Sequence, residues 1–371
     1  MKKVLFVFGT RPEAIKMAPM IKELQARKDK FRVKVCVTGQ HREMLDQVLD
    51  FFSIKPDYDL NVMKPGQTLF GVTARILEEL EAPIDDFKPD VILVQGDTTS
   101  AFAGALAAYY KQIAVGHLEA GLRSGNIYSP FPEEVNRLLV GRIAKYHFAP
   151  TDRAQKALLG EGVETKEIYH VGNTVIDALL LGLDIIKQGD SAEYSKHVGD
   201  VDLSKRVVLV TGHRRESFGG GFEQMCEAIK ELATKNTDIE IVYPVHLNPN
   251  VQEPVKRILG GVSNVHLIQP LDYPSLIWLM EKSYIVLTDS GGIQEEAPTL
   301  GKPVLVMREV TERQEGVEAG TAKLVGTDMN VIIAETQRLL DDKSAYDAMA
   351  NAINPYGDGT TSRQIADILE R

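Results

Sequence analysis

Asp97 and Glu119 each follow an apolar run, Glu133 opens a helical pattern, and His213 follows another apolar run. Carboxylates brought together raise one another's pKa and become proton carriers. Histidine is the side chain most readily poised for proton transfer near neutrality. Taken singly, each has a plainer reading. Asp97 caps the helix that follows it. Glu133 pairs with Arg137, four residues on. His213 is a satisfied structural histidine beside two arginines and a glycine-rich turn. Three carboxylates converging on one cleft are harder to explain structurally.

A second constellation lies in residues 285–313, IVLTDSGGIQEEAPTLGKPVLVMREVTER. The pattern is strand, glycine turn, helix, strand. The turn Asp289-Ser290-Gly291-Gly292 offers unpaired backbone N–H groups and the positive end of a helix dipole to an anion, phosphate above all. Glu295 and Glu296, inside the helix, are placed to bind a ribose hydroxyl pair. Together they suit a nucleotide diphosphate held without a P-loop. An ordinary buried strand–turn–helix has the same pattern. Arg11, Lys16, Arg123, Arg137, Arg214, Arg215 and Arg313 lie in or beside glycine- and carboxylate-rich motifs. An acidic protein that concentrates cations there suits a small anion, although any one of them also reads as solvated surface charge. In FGTRPEAIK, Pro12 takes a favoured first helical position and Lys16 follows one turn on. Pro19 is expected to bend or end that helix early. His246, Gln40 and His41 have weaker support.

These residues need strand ends to hold them. Strand-like runs cover residues 4–8, 33–37, 91–94, 114–117, 146–149, 168–171, 207–210, 239–243, 265–267, 284–287 and 303–307. Several are continuously apolar, as parallel strands covered on both faces are. Helical patterns alternate with them, which argues for doubly wound α/β sheets. Eleven strands suit two sheets rather than one. The expected domains are 1–171, rejoined by a C-terminal helix over 357–371, and 172–356. Residues 184–205 are polar and look like a surface excursion. Ligands of such sheets bind beyond the carboxyl ends of the strands, and the polar motifs sit at those ends, facing one interdomain cleft. No G-x-G-x-x-G fingerprint suggests a nicotinamide cofactor.

The chain has 371 residues, 44% hydrophobic and 25% charged, with a formal net charge of −10. That balance suits a soluble two-domain protein and argues against general affinity for nucleic acid or anionic membrane. Cys36 and Cys226 sit in apolar surroundings and suggest no disulfide framework, zinc site or thiol nucleophile. The start MKKVLFVFGTRPE reads as a buried first strand rather than a signal peptide. No apolar stretch reaches the ~18 residues that span a bilayer, so a cytoplasmic location is expected.

The motifs GTRPEAIK, GQHREMLDQVL, QGDTTS, GHLEAGLRS, PEEVNRLL, GNTVIDAL, TGHRRES, YPVHLNPNV, TDSGGIQEEAPTLGKPVLVMRE and NPYGDG strongly resemble the non-hydrolysing UDP-N-acetylglucosamine 2-epimerases of bacteria. The resemblance spans nearly the whole chain. It implies two Rossmann-like domains in the GT-B arrangement, a homodimer, and interconversion of UDP-GlcNAc and UDP-ManNAc for surface polysaccharide. It carries the catalytic roles to Lys16, Asp97, Glu119, Glu133 and His213. It carries UDP contacts to Arg11, Ser290, Gly291, Gly292, Glu296 and Arg313, with Leu271 and Leu276 near the uridine. It also implies a second UDP-GlcNAc bound as activator by Gln40, His41, Gln67, Arg214 and His246. Glu43 and Gly66 stand where some relatives use Gln and Arg. The chemistry calls for no metal and no redox cofactor. A hydrolysing epimerase, a GT-B glycosyltransferase and a catalytically silent nucleotide-sugar sensor are the alternatives.

Overall fold

Strands that are unbroken apolar runs need cover on both faces, and parallel pairing through crossover helices supplies it. In the computed structural model, which describes residues 1–39, 42–64 and 66–371, the runs pair in this way. The chain forms two compact units, Met1–Leu180 with Tyr356–Arg371, and Leu181–Pro355. Each is a Rossmann-like doubly wound α/β domain.

The first unit holds β1 (Lys2–Phe8), β2 (Phe31–Val37), β3 (Tyr58–Asp59), β4 (Val91–Gln95), β5 (Ala114–Leu118), β6 (Tyr146–Ala149) and β7 (Ile168–His170). All pair parallel, in the order β3-β2-β1-β4-β5-β6-β7. Leu5, Val7, Ile92 and Val94 pack on one face with Ile76, Leu80 and Ile84. By the two-residue period of a strand, Val4, Phe6 and Phe8 turn to the other face, where they are equally buried. The second unit holds β8 (Arg206–Thr211), β9 (Ile239–Pro244), β10 (Val265–Ile268), β11 (Ser283–Thr288), β12 (Val304–Val306) and β13 (Ala322–Leu324). These are also parallel, in the order β10-β9-β8-β11-β12-β13.

Each sheet changes direction beside its first strand, between β1 and β4 and between β8 and β11. Ligands of doubly wound sheets bind at such switch points, beyond the carboxyl ends. The loops leaving those four strands carry Arg11, Asp97, His213 and Ser290.

Three local features differ from the sequence expectation. β3 and β13 add two strands, but at two and three residues they are too short to show a period. The helix Arg11–Ala26 continues past Pro19 rather than ending there. Proline removes one backbone bond there, at a cost of about 3 kcal/mol. Met17, Ala18, Met20, Ile21 and Leu24 are all buried around it, and roughly 2 kcal/mol for each large apolar side chain outweighs that cost. The polar stretch 184–205 begins inside the helix Thr174–Gln188 and contains the short helix Ala192–Ser195. Among the described residues no helix is long and apolar enough to cross a membrane.

Where the chain leaves the first unit and where it returns, the two passes are bonded together. Asn173 N donates to Tyr356 O at 2.7 Å, Thr361 Oγ1 to Val171 O at 2.9 Å, and Ser362 N to the Asp177 carboxylate at 2.7 Å. Gly172 lies between the passes at φ +91°, and a Cβ there would meet Thr361 Oγ1 at 2.8 Å and Tyr356 O at 3.2 Å. Gly172→Ala therefore meets both a left-handed backbone and a collision. We expect a loss of at least about 2 kcal/mol in denaturant unfolding. Gly160→Ala, where the added methyl meets nothing within 4 Å, should stay near wild type.

Candidate active site

In the first unit the geometry centres on Glu119, just past β5. Its backbone sits at φ 62°, a left-handed conformation that costs a non-glycine residue about 1–3 kcal/mol. Lys16 Nζ reaches its two carboxylate oxygens at 2.6 and 2.7 Å. Gln95 Nε2, at the end of β4, donates to Oε2, and Asn173 Nδ2 to Oε1 at 3.3 Å. Two residues on, Gly121 has φ +91° and lies where a Cβ would be 2.3 Å from Ala154 O. The loop is thus pressed against the helix Asp152–Gly160.

Asp97, after β4, adjoins Glu119: a Cβ on Gly96 would lie 3.5 Å from Glu119 Oε2. Arg137 donates to Asp97 Oδ2 through Nε at 2.8 Å, and Asn136 Nδ2 holds the Asp97 carbonyl at 2.8 Å. Both come from the helix Glu133–Ile143. The i,i+4 pair of Glu133 with Arg137 does not form, because Arg137 serves Asp97 and Glu134. Glu134 also accepts the N–H groups of Ser124 and Gly125 at 3.0 Å. Burial pushes its pKa up, but these donors outweigh burial and hold it below the usual value. Glu133 keeps a buried oxygen, Oε2, with no hydrogen-bond partner.

Glu13 belongs to the site although its role is structural. It accepts from Gly9 N at 3.0 Å and Thr10 N at 2.8 Å, and from Thr98 Oγ1 at 2.6 Å. One carboxylate so ties the loop after β1, which carries Arg11, to the loop after β4, which carries Asp97. Burial raises its pKa against those donors. The spacing Thr10-x-x-Glu13 is a capping-box signature, and that signal was available in the sequence. Gln95 and Asn173 had no such signal.

In the second unit, Asp289 is fully buried. Its Oδ2 accepts the backbone N–H groups of His213 and Arg214 at 2.6 and 2.7 Å. The His213 ring stacks on His246, with centroids 5.0 Å apart and planes at 9°. Burial pushes the His213 pKa down; Asp289 pulls it up, and His246 and Arg214 add to the fall. Ser290, Gly291 and Gly292 lead into the helix Gly291–Glu296. Arg313 crosses Gly291, where a Cβ would be 3.6 Å from its guanidinium carbon, and donates to Glu295. Tyr273 OH donates to Glu296 at 3.2 Å, with half-buried Leu271 and Leu276 on either side of Tyr273. Gln67 has separate neighbours, accepting from Lys64 N at 3.1 Å and Arg75 at 3.2 Å. Gln40 and His41 lie outside the described residues. Among the described residues no group of three or more His, Cys, Asp and Glu could hold a metal ion.

A family model described as UDP-N-acetylglucosamine 2-epimerase matches residues 22–370. The chain is 58% identical over 370 residues to the UDP-N-acetylglucosamine 2-epimerase of Salmonella typhimurium, covering 99% of this chain and 98% of that one. It matches the crystal structure of UDP-GlcNAc 2-epimerase from Neisseria meningitidis bound to UDP-GlcNAc with a TM-score of 0.89 and 51% identity over 99% of both chains. An S. aureus protein solved with UDP matches with a TM-score of 0.86 and 49% identity, over 100% of this chain and 96% of that one.

His117 supports this site from behind. Its buried Nε2 bonds the Gly96 carbonyl at 2.7 Å, next to Asp97. Burial pushes its pKa from 6.5 down to about 4. Between those values the unfolded chain takes up a proton that the folded chain does not. Stability is therefore lost as pH falls from about 6.5 towards 4, by at most about 3 kcal/mol. His117→Gln keeps a donor near the Nε2 position and cannot titrate. Denaturant unfolding near pH 7 and near pH 5 should show a smaller acid loss in the variant. Equal losses in both proteins would show that His117 does not stay neutral.

Proposed function

The chain belongs to the UDP-N-acetylglucosamine 2-epimerase family, and from that premise we propose the following reaction. UDP-GlcNAc and UDP-ManNAc are interconverted by elimination of UDP and its return to the sugar. The observation that carries the reading is the set of carboxylates in the first unit, Asp97 and Glu119 just past strand ends and Glu133 at the start of the helix whose Arg137 holds Asp97. Two of them bear cations and one retains an unpartnered oxygen.

The hydrogen on carbon 2 is not acidic in the intact sugar nucleotide. As the bond from carbon 1 to the phosphate oxygen breaks, UDP leaves with the electron pair and carbon 1 gains oxocarbenium character. The neighbouring C–H then becomes acidic. A carboxylate takes that proton, the C–H pair becomes the carbon 1–carbon 2 double bond, and 2-acetamidoglucal and UDP result. A second acid returns a proton to the opposite face of carbon 2, and UDP re-adds to carbon 1. Atoms and electrons balance with no oxidant. Each face needs its own proton carrier, which is why one carboxylate does not suffice.

Most of the grip on the leaving group comes from the second unit. Gly291 and Gly292 offer backbone N–H groups and Ser290 its hydroxyl, its own N–H being held by Thr288 Oγ1 at 2.9 Å; His213 and Arg313, with Arg11 of the first unit, offer charge or a proton to the pyrophosphate. Glu296 takes the ribose, and Leu271 and Leu276 flank the uracil. Lys16 pairs with the Glu119 carboxylate. Gln67, Arg214 and His246, together with Gln40 and His41, are the residues that would take a second UDP-GlcNAc as activator. A second copy of the chain is the expected partner. Exposed Phe70, Tyr109 and Tyr110, on the helices Leu69–Phe87 and Thr99–Tyr110, offer it apolar surface. The reaction would run in the cytoplasm and feed polysaccharide assembly.

Glu119→Gln and Asp97→Asn should each lower turnover at least about a hundredfold, the scale of a lost acid or base. UDP affinity, read by calorimetry, should stay within a few fold. Near-normal turnover in both variants would remove the carboxylates from the chemistry.

A further inference from the structure

His213 and Asp289 form a pair whose geometry is incomplete. Asp289 is immobile: its N–H bonds Thr211 O at 3.0 Å, and its Oδ2 takes two backbone donors. Its other oxygen, Oδ1, is buried and has no hydrogen-bond partner. Leaving such an acceptor unsatisfied is costly. The His213 ring presents Nδ1 at 3.7 Å from it, outside hydrogen-bond range. The ring is 45% exposed, so it is free to move. Its parallel stack on His246 lets it slide in its own plane and resists tipping. A slide of roughly 1 Å brings Nδ1 into bonding range.

We propose that Asp289 is the positioning residue of His213, accepting the Nδ1 proton and so leaving Nε2 as the nitrogen that meets the substrate. The carboxylate fixes which nitrogen carries the neutral ring's proton. It also favours the protonated ring against the groups that oppose it, which are His246 beyond β9 and Arg214 on the same loop. With Nδ1 bound, proton uptake and release are confined to Nε2. An imidazole so held can give its Nε2 proton to a phosphate oxygen and take it back when UDP re-adds. That last step rests on the reaction proposed above; the tautomer does not.

The substitution Asp289→Asn separates the two roles of this carboxylate. Its amide oxygen still accepts the N–H groups of His213 and Arg214. Its NH2 then faces Nδ1, which must become an acceptor, and the neutral ring's proton moves to Nε2. Long-range proton–nitrogen NMR of ligand-free, 15N-labelled protein reads this directly, with His213 assigned by its absence in His213→Asn. The wild type should carry the proton on Nδ1. The Asn variant should carry it on Nε2 and titrate lower by roughly half a pH unit or more. Turnover of that variant should fall at least about tenfold. A wild-type proton on Nε2 overturns the proposal, as does a variant with unchanged tautomer and midpoint, or one with unchanged turnover. If the variant does not fold, the wild-type tautomer decides alone. If the wild type does not epimerise UDP-GlcNAc, the proposed function fails while the tautomer result stands.

Discussion

A carboxylate taken out of water must be met by fixed donors, or it takes up a proton. The loops of this protein are built around that constraint. Glu13 is met by two backbone N–H groups and the Thr98 hydroxyl. Glu134 is met by Ser124, Gly125 and Arg137, and Asp289 by the backbone of His213 and Arg214. None of the three needs to touch a substrate. Each fixes the chain at the carboxyl end of a strand: Glu13 the segments after β1 and β4 that lead to Arg11 and Asp97, Glu134 the loop after β5 that begins at Glu119, and Asp289 the loop after β8 that carries His213. Buried carboxylates thus set the positions of the groups around the strand ends.

The carboxylates assigned to the proposed chemistry differ from the supporting ones in how they are met. Glu119 is clamped by side chains, Lys16, Gln95 and Asn173, drawn from three separate segments. Its left-handed backbone is held by the bonds around it and by the close passage of Gly121. Side-chain donors can rearrange as a proton or a substrate arrives, whereas the backbone donors of Glu13 and Asp289 cannot. Glu133, with one oxygen unpartnered, is the least committed of the set. Such a gradient suits a reaction that must both stabilise charge and move protons.

Much of this was legible in the sequence because period and turn chemistry are local. The alternation of apolar runs with helical patterns marks eleven strands and two sheets. The motifs after β1, β4, β5, β8 and β11 fall at carboxyl ends as the topology requires. What the sequence hides is direction. In Glu133-Glu134 the pattern favours the first residue, yet it is the second that anchors a loop. Asp289 stands in a motif noticed for its glycines, and its carboxylate reaches back to the loop after β8, about seventy-five residues earlier. Gln95 and Asn173 look like ordinary strand-end and helix-start residues until the sheet brings them to Glu119. Pro19 does not end its helix, because the apolar side chains buried around it outweigh the lost backbone bond.

In the proposed reaction carbon 2 exchanges its hydrogen with protein carboxylates while UDP departs and returns. Proton NMR of UDP-GlcNAc with enzyme in deuterated water follows that exchange. UDP-ManNAc bearing deuterium at carbon 2 is expected, with deuterium entering the UDP-GlcNAc pool as equilibrium is reached. UDP-ManNAc that keeps its original hydrogen, or free ManNAc accumulating with UDP in place of UDP-ManNAc, would contradict it.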